Sequence, residues 1–215
     1  MVEVNKKVLL VEGKQDRFVI PYLIEANGVD WGSKKNPTVY IRDYGSDSQL
    51  IDPLEIYTAF QESGLVALGL MVDADDNPVG RWQSVRQACL RSIPDIPEKL
   101  PDSGLIHTTQ DGKKFGVWIM PDNKTRGMLE TFLSYMIPDE SELFWKYAQQ
   151  VVSEAKNKGA PFINAHVHKA YIYTWLAWQN PPGRQLHNAV MERILNPQHP
   201  NARIFVNWFK TLYDL

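Results

Sequence analysis

Three apolar runs about thirty residues apart, with amphipathic stretches between them, constrain this chain more than any other feature. They are "KKVLLVE" (6–12), "PTVYIRDYG" (37–45) and "LVALGLMVDADD" (65–76), and each reads as a buried strand. Between the first two, "KQDRFVIPYLIEANG" sets Phe18, Val19, Tyr22, Leu23 and Ala26 at helical spacing and ends near Gly28. Pro21 either kinks that helix or lies near its first turn. "SDSQLIDPLEIYTAFQESG" offers Ser and Asp caps and an apolar face of Leu54, Ile56, Tyr57 and Phe60, and "GRWQSVRQACLRSI" (80–93) supplies the next helix. This βαβαβα order predicts an α/β fold, a mostly parallel sheet flanked by helices and joined by right-handed crossovers.

A Pro-rich connector (94–104) interrupts the alternation, and "LIHTTQDGKKFGVWIMPDN" then reads as two strands around Asp111–Gly112. From Met128 the pattern is helical, with breaks at Pro138, 159–161, 180–183 and 196–201. The expected organisation is an α/β domain over 1–137 with a helical extension, 138–215, packed on it. No apolar run is long enough to span a bilayer, and "MVEVNKKVLLVEG" lacks the small-residue site of a cleaved signal peptide. The single cysteine, Cys89, rules out an internal disulfide or a Cys-based zinc site, so the reducing cytoplasm is the expected compartment. With a formal net charge of −2, any polyanionic partner needs local Lys and Arg residues or a metal ion.

Ligands of parallel α/β sheets gather outside the carboxyl ends of the strands. The candidate strand ends here carry Glu12, then Asp73, Asp75 and Asp76, then Asp122. Crowded carboxylates repel one another and rise in pKa, a penalty that a hard divalent cation removes. Mg²⁺ favours a few carboxylates with waters and a substrate phosphate, which points to metal-assisted attack at phosphorus. An acidic run after a strand is also a common solvated turn. Glu12 and the Asp73/Asp75 pair at one sheet edge, about sixty residues apart, carry the functional reading. Asp16, four residues after Glu12, can join it across one helical turn or cap the helix that follows. Asp76 reads as a cap before "NPVGRW", and "PDN" around Asp122 as an ordinary turn.

"LLVEGKQD" and "GLMVDADD" resemble the Toprim domain of topoisomerases, bacterial primases, recombination proteins and OLD (overcoming lysogenisation defect) nucleases. The resemblance covers about residues 6–135 and implies a small Rossmann-like sheet. Glu12 with Asp16, in the form EG-x-x-D, is most similar to the OLD branch and to small standalone Toprim proteins of undefined role. That branch implies Mg²⁺ or Mn²⁺ held by Glu12, Asp16, Asp73 and Asp75, with Glu130 of "PDNKTRGMLETF" completing the set. It assigns catalysis to Glu12, Asp73, Asp75 and an assisting lysine, for which "HVHKAYIYTW" offers Lys169. The implied activity is hydrolysis of phosphodiester bonds in DNA or RNA. No G-x-x-x-x-G-K-[ST], tyrosine-bearing cleavage domain or zinc module occurs, which sets aside an ATP-driven machine, strand passage and priming.

The alternative is a weakly catalytic or non-catalytic module that binds nucleic acid or a partner protein through the same acids. A homo-oligomer is compatible with either reading. A strand followed by D-x-D also resembles the haloacid-dehalogenase phosphatases, but Asp75 is followed by Asp76–Asn77 and Glu12 is left unexplained, so that reading ranks lower. A response-regulator receiver expects a strand-end lysine that "IMPDN" lacks. His166 and His168, two residues apart, point to different helix faces and make a poor metal pair. "YIYTWLAWQ" places Ile172, Trp175, Leu176 and Gln179 on one stripe, which reads as core rather than a base-stacking platform. Lys113, Lys114, Lys124 and Arg126 either hold a phosphate backbone or are ordinary loop charges.

Overall fold

The computed structural model describes residues 6–215; residues 1–5, on which part of the signal-peptide argument rests, lie outside it. The first half runs β1 (Lys6–Val11), α1 (Lys14–Ala26), β2 (Gly32–Ser33), β3 (Asn36–Pro37), β4 (Tyr40–Asp43), α2 (Asp47–Leu50), α3 (Pro53–Phe60), β5 (Leu65–Asp73), α4 (Pro78–Cys89), β6 (Leu105–Thr108) and β7 (Lys114–Met120). It continues with α5 (Leu129–Ser134), α6 (Glu142–Asn157), α7 (Val167–Leu176), α8 (Leu186–Met191) and α9 (Arg203–Tyr213). The main sheet has the order β4-β1-β5-β7-β6, parallel except for β6 at the edge, and β2 and β3 form a separate small ribbon. The mostly parallel sheet flanked by helices, with a helical C-terminal part, is therefore present as expected.

From β1 the chain passes through α1 to β4 on one side, then crosses through α2 and α3 to β5 on the other. This reversal opens a crevice at the carboxyl ends of β1 and β5. It also puts α1 and α3 on opposite faces. Alternate strand residues follow: Leu9, Val11, Met71, Trp118 and Met120 pack with Val19, Ile20, Leu23 and Ile24 of α1. Val8, Leu10, Leu70, Val72, Val117 and Ile119 pack with Ile56, Phe60, Trp82 and Val85. Both faces are covered, which is why the strands are apolar without alternation.

Local chemistry shifts several boundaries. The stretch after β4 breaks into two helices because Pro53 takes the first helical position of α3, where its missing N–H costs nothing. Asp52 caps α3 by accepting from the Leu54 and Glu55 N–H groups at 2.7 and 3.2 Å. The cap of α4 is Asn77, accepting from Gly80 N at 2.9 Å, and not Asp76. Within α1 the buried stripe is Val19, Ile20, Leu23 and Ile24, while Phe18 is 48 % exposed and Pro21 lies inside the helix. Leu54, expected on a buried face, is exposed.

The C-terminal helices share the first layer's core. Ile172, Trp175 and Leu176 are fully buried, in line with the core reading of that stripe, beside Phe205 and Phe209 of α9. Gly69 of β5 and Gly116 of β7 are register partners. A Cβ on Gly69 would stand 2.3 Å from the Tyr213 hydroxyl, and one on Gly116 2.5 Å from Leu212 Cδ2. Two bare positions side by side thus make a trough for α9. There Tyr213 Oη donates to Val8 O at 2.8 Å and Trp208 Nε1 to Leu105 O at 2.8 Å. Among the described residues no helix is long and apolar enough to cross a membrane.

Candidate metal centre

Glu12 is the first residue beyond β1, and Gly13 turns the chain into α1, which places Asp16 in that helix's first turn. Asp16 Oδ2 accepts from Gly13 N at 2.9 Å, and the residue is only 7 % exposed. Both readings of Asp16 therefore describe one carboxylate, which serves the helix start and lies beside Glu12. Glu12 Oε2 is buried and has no hydrogen-bond partner among the described residues.

Asp73 closes β5, and its Oδ1 accepts from Leu129 N, the first residue of α5, at 3.1 Å. That bond fixes the start of α5 at the strand end and brings in Glu130, which is 4 % exposed. Lys169 reaches down from α7, its Nζ 3.3 Å from Glu130 Oε1. Glu12, Asp16, Asp73 and Glu130 thus lie toward one sheet edge with Lys169, near enough for their charges to act on one another.

Burial raises the Asp73 carboxyl well above its usual range, and Asp16, Glu12, Glu130 and Asp75 push it further. Burial, with help from Glu12 and Glu130 and against the Gly13 N–H, pushes Asp16 up to about 7. Glu12 is raised by burial, then by Asp47 and Asp75, with the Asp73 backbone N–H and Arg81 opposing. Burial works against the charge on Lys169, but Glu130 and Asp73 outweigh it and the ammonium is held. Among the described residues no three His, Cys, Asp or Glu side chains are gathered closely enough to hold a metal ion.

Asp75 departs from the expected set. It adopts φ +51°, its backbone pairs with Gly127 through bonds of 2.9 and 2.7 Å, and its carboxylate meets Arg81 Nη2 at 2.5 Å. Arg81 also holds Asp47 at 2.6 Å. The left-handed turn aims Asp75 at the first turn of α4, away from Asp16 and Glu130, which are buried. Arg81 and Asp47 went unrecognised in the sequence, although the first turns of α2 and α4 follow strands and so land on this same edge.

The remaining candidates separate cleanly. Asp122 is a turn residue, accepting from Thr125 N and Oγ1 at 2.8 Å each and from the Tyr135 hydroxyl at 3.0 Å. Lys113 and Lys114 sit at the opposite, amino end of β7, paired with Asp111 and Asp214, and Lys124 pairs with Asp102. Only Arg126 of those four cations lies beside the acids without an ion pair among the described residues. His168 is half-buried, its pKa lowered by burial and by Arg126 against the pull of Glu130. His166, in the short turn before α7, is exposed.

A family model described as a protein of unknown function (DUF3226) matches residues 6–214. No curated protein and no solved structure matches.

Proposed function

The chain belongs to the DUF3226 family, and we propose that it is a divalent-metal-dependent nuclease of the Toprim kind, hydrolysing phosphodiester bonds in DNA or RNA in the cytoplasm. The observation that carries this reading is the orphaned Glu12 Oε2, buried amid like charge from Asp47 and Asp75 and beside Asp73 and Asp16. A buried acceptor without a donor costs roughly 1–3 kcal/mol, and packed carboxylates add repulsion. A hard cation satisfies both. The donor set is all oxygen, which suits Mg²⁺ or Mn²⁺.

Glu12, Asp16, Asp73 and Glu130 would hold the metal, and Asp75 joins them when its pair with Arg81 opens. Bound there, the cation supplies Lewis-acid stabilisation of charge on the phosphate and lowers the pKa of water. Lys169, kept cationic by Glu130, presents a donor at the same edge for a phosphoryl oxygen. Glu12, with its bare Oε2 at the strand end, is a ligand in this reading, and its part in the reaction is exerted through the cation it would hold.

The test is cleavage of labelled single- and double-stranded DNA and RNA with Mg²⁺, with Mn²⁺ and with EDTA. Cleavage should require the cation and fall by about 100-fold or more in Glu12→Ala and Asp73→Ala. The hold of Arg81 on Asp75 favours a second reading, a binding module with weak or no catalysis. Cation binding without cleavage would select that module and end the nuclease proposal. No cation binding would end both.

A further inference from the structure

Next to the Asp75 turn lies a cavity of about 280 Å³ whose lining includes Asp75, Asp76, Arg126, Asn164 and His168. Its position is built into the fold. The paired backbone of Asp75 and Gly127 ties the Arg126 loop to the turn after β5. Gly127 has φ +141°, and a Cβ there would meet Thr131 Oγ1 at 2.5 Å, so the loop is packed as well as bonded. His168 directly precedes Lys169 on α7, which places the cavity and the acid centre along one helix.

A phosphate chain approaching these acids meets net repulsion that a metal ion offsets only at the reacting group. The flanking phosphates need their own cation. Arg126 is exposed at this rim and free of any ion pair among the described residues, whereas Lys113, Lys114 and Lys124 are each paired. Its planar fork matches two phosphate oxygens. The imidazole of His168 and the amide of Asn164 supply neutral polar groups beside it. The volume is below that of a drug-sized site, which suits one phosphate with part of its sugar.

We propose that this cavity seats the phosphate next to the reacting one on a nucleic-acid strand, clamped by Arg126 with His168 and Asn164 alongside. The inference rests on the nucleic-acid reading of the acid centre but not on cleavage.

Fluorescence anisotropy with labelled DNA and RNA oligonucleotides, read across a salt series in Ca²⁺ or Mg²⁺, tests it. Arg126→Ala should weaken binding about tenfold and lower the salt slope by about one, with Arg126→Lys intermediate. Lys113→Ala, at the far end of the sheet, should leave both unchanged. Thermal melts equal to wild type establish that each variant is folded. Where cleavage is present, Arg126→Ala should raise KM more than it lowers kcat, because the clamp holds a phosphate that does not react. Wild-type affinity and salt slope in Arg126→Ala overturn the clamp while leaving a cleaving enzyme intact. Loss of binding in that variant of a wild-type chain that binds without cleaving supports the clamp and ends the nuclease reading. A wild-type chain that binds neither polymer overturns both.

Discussion

Asp16 stabilises one thing and strains another. As an acid in the first turn of α1 it accepts the Gly13 N–H and complements the helix dipole. Its burial, with Glu12 and Glu130 as neighbours, moves its carboxyl from 3.8 to about 7. A folded-state pKa above the unfolded one means that the native chain holds this proton more tightly. Its contribution to stability is complete below about pH 4 and is lost as pH rises through about 7, by up to about 1.4 kcal/mol per pH unit. In EDTA the melting temperature should therefore fall between about pH 4 and pH 7. Mg²⁺ or Mn²⁺ should flatten the profile, and Asp16→Asn should shrink it; a flat profile for the metal-free wild type would contradict the burial argument. Asp73→Asn keeps an oxygen for Leu129 N and removes a buried charge. That variant should gain about 1–2 kcal/mol in metal-free urea unfolding while losing the cation-induced shift. The juxtaposition of Glu12 and Asp73 was legible in the sequence because both close strands of one parallel sheet. Glu130 and Lys169 were reached only through family resemblance, since the bond that docks α5 joins Leu129 to Asp73 across 56 residues and leaves no local pattern. The diversion of Asp75 to Arg81 depends on a left-handed turn, which spacing alone does not encode.

At the level of elements, the close seat of α9 is the contact most exposed to a single methyl group. Gly69→Ala puts a Cβ 2.3 Å from the Tyr213 hydroxyl and 2.8 Å from Leu9 Cδ1, an overlap that should cost about 1–3 kcal/mol in urea unfolding. Tyr213→Phe removes the bond to Val8 O and should cost about 1 kcal/mol. The two changes together should cost less than their sum, because Phe lacks the atom that Ala strikes. Strict additivity would show that α9 shifts freely and that the trough does not fix it. Nothing in "LVALGLMVD" announces this trough, because Gly69 acquires its role from a helix at the far end of the chain. The facing of α1 has a similar origin. Phe18 and Tyr22 look like core in the sequence but sit 5.7 and 6.1 Å from the His187 ring of α8, at the margin. The sheet instead receives Val19, Ile20, Leu23 and Ile24. Periodicity identified the helix correctly, while its facing was decided by a helix that the first half of the sequence does not contain.

The whole molecule is two helical layers on one sheet, and the layers differ in where their residues come from. The layer on Val8, Leu10 and Leu70 is built from α2, α3 and α4, all close in sequence to the strands they cover. The opposite layer sets Met71, Trp118 and Met120 against Trp175, Phe205 and Phe209 as well as α1. A division at 137 therefore marks a change of composition, while the core runs across it. The same division crosses the candidate centre, since Lys169, His168 and Asn164 lie beyond it and Glu12, Asp16, Asp73 and Glu130 before it. The tail supplies cover for the sheet and one flank of the candidate centre. Wild-type unfolding in urea should accordingly give coincident transitions by tryptophan fluorescence and far-UV circular dichroism. A fragment ending at residue 137 leaves that sheet face bare, and it should lose cooperative unfolding, bind a hydrophobic dye and show no cation-induced rise in melting temperature. A fragment that unfolds cooperatively and keeps the cation response would make the tail an appendage to a sheet that folds and binds the cation without it.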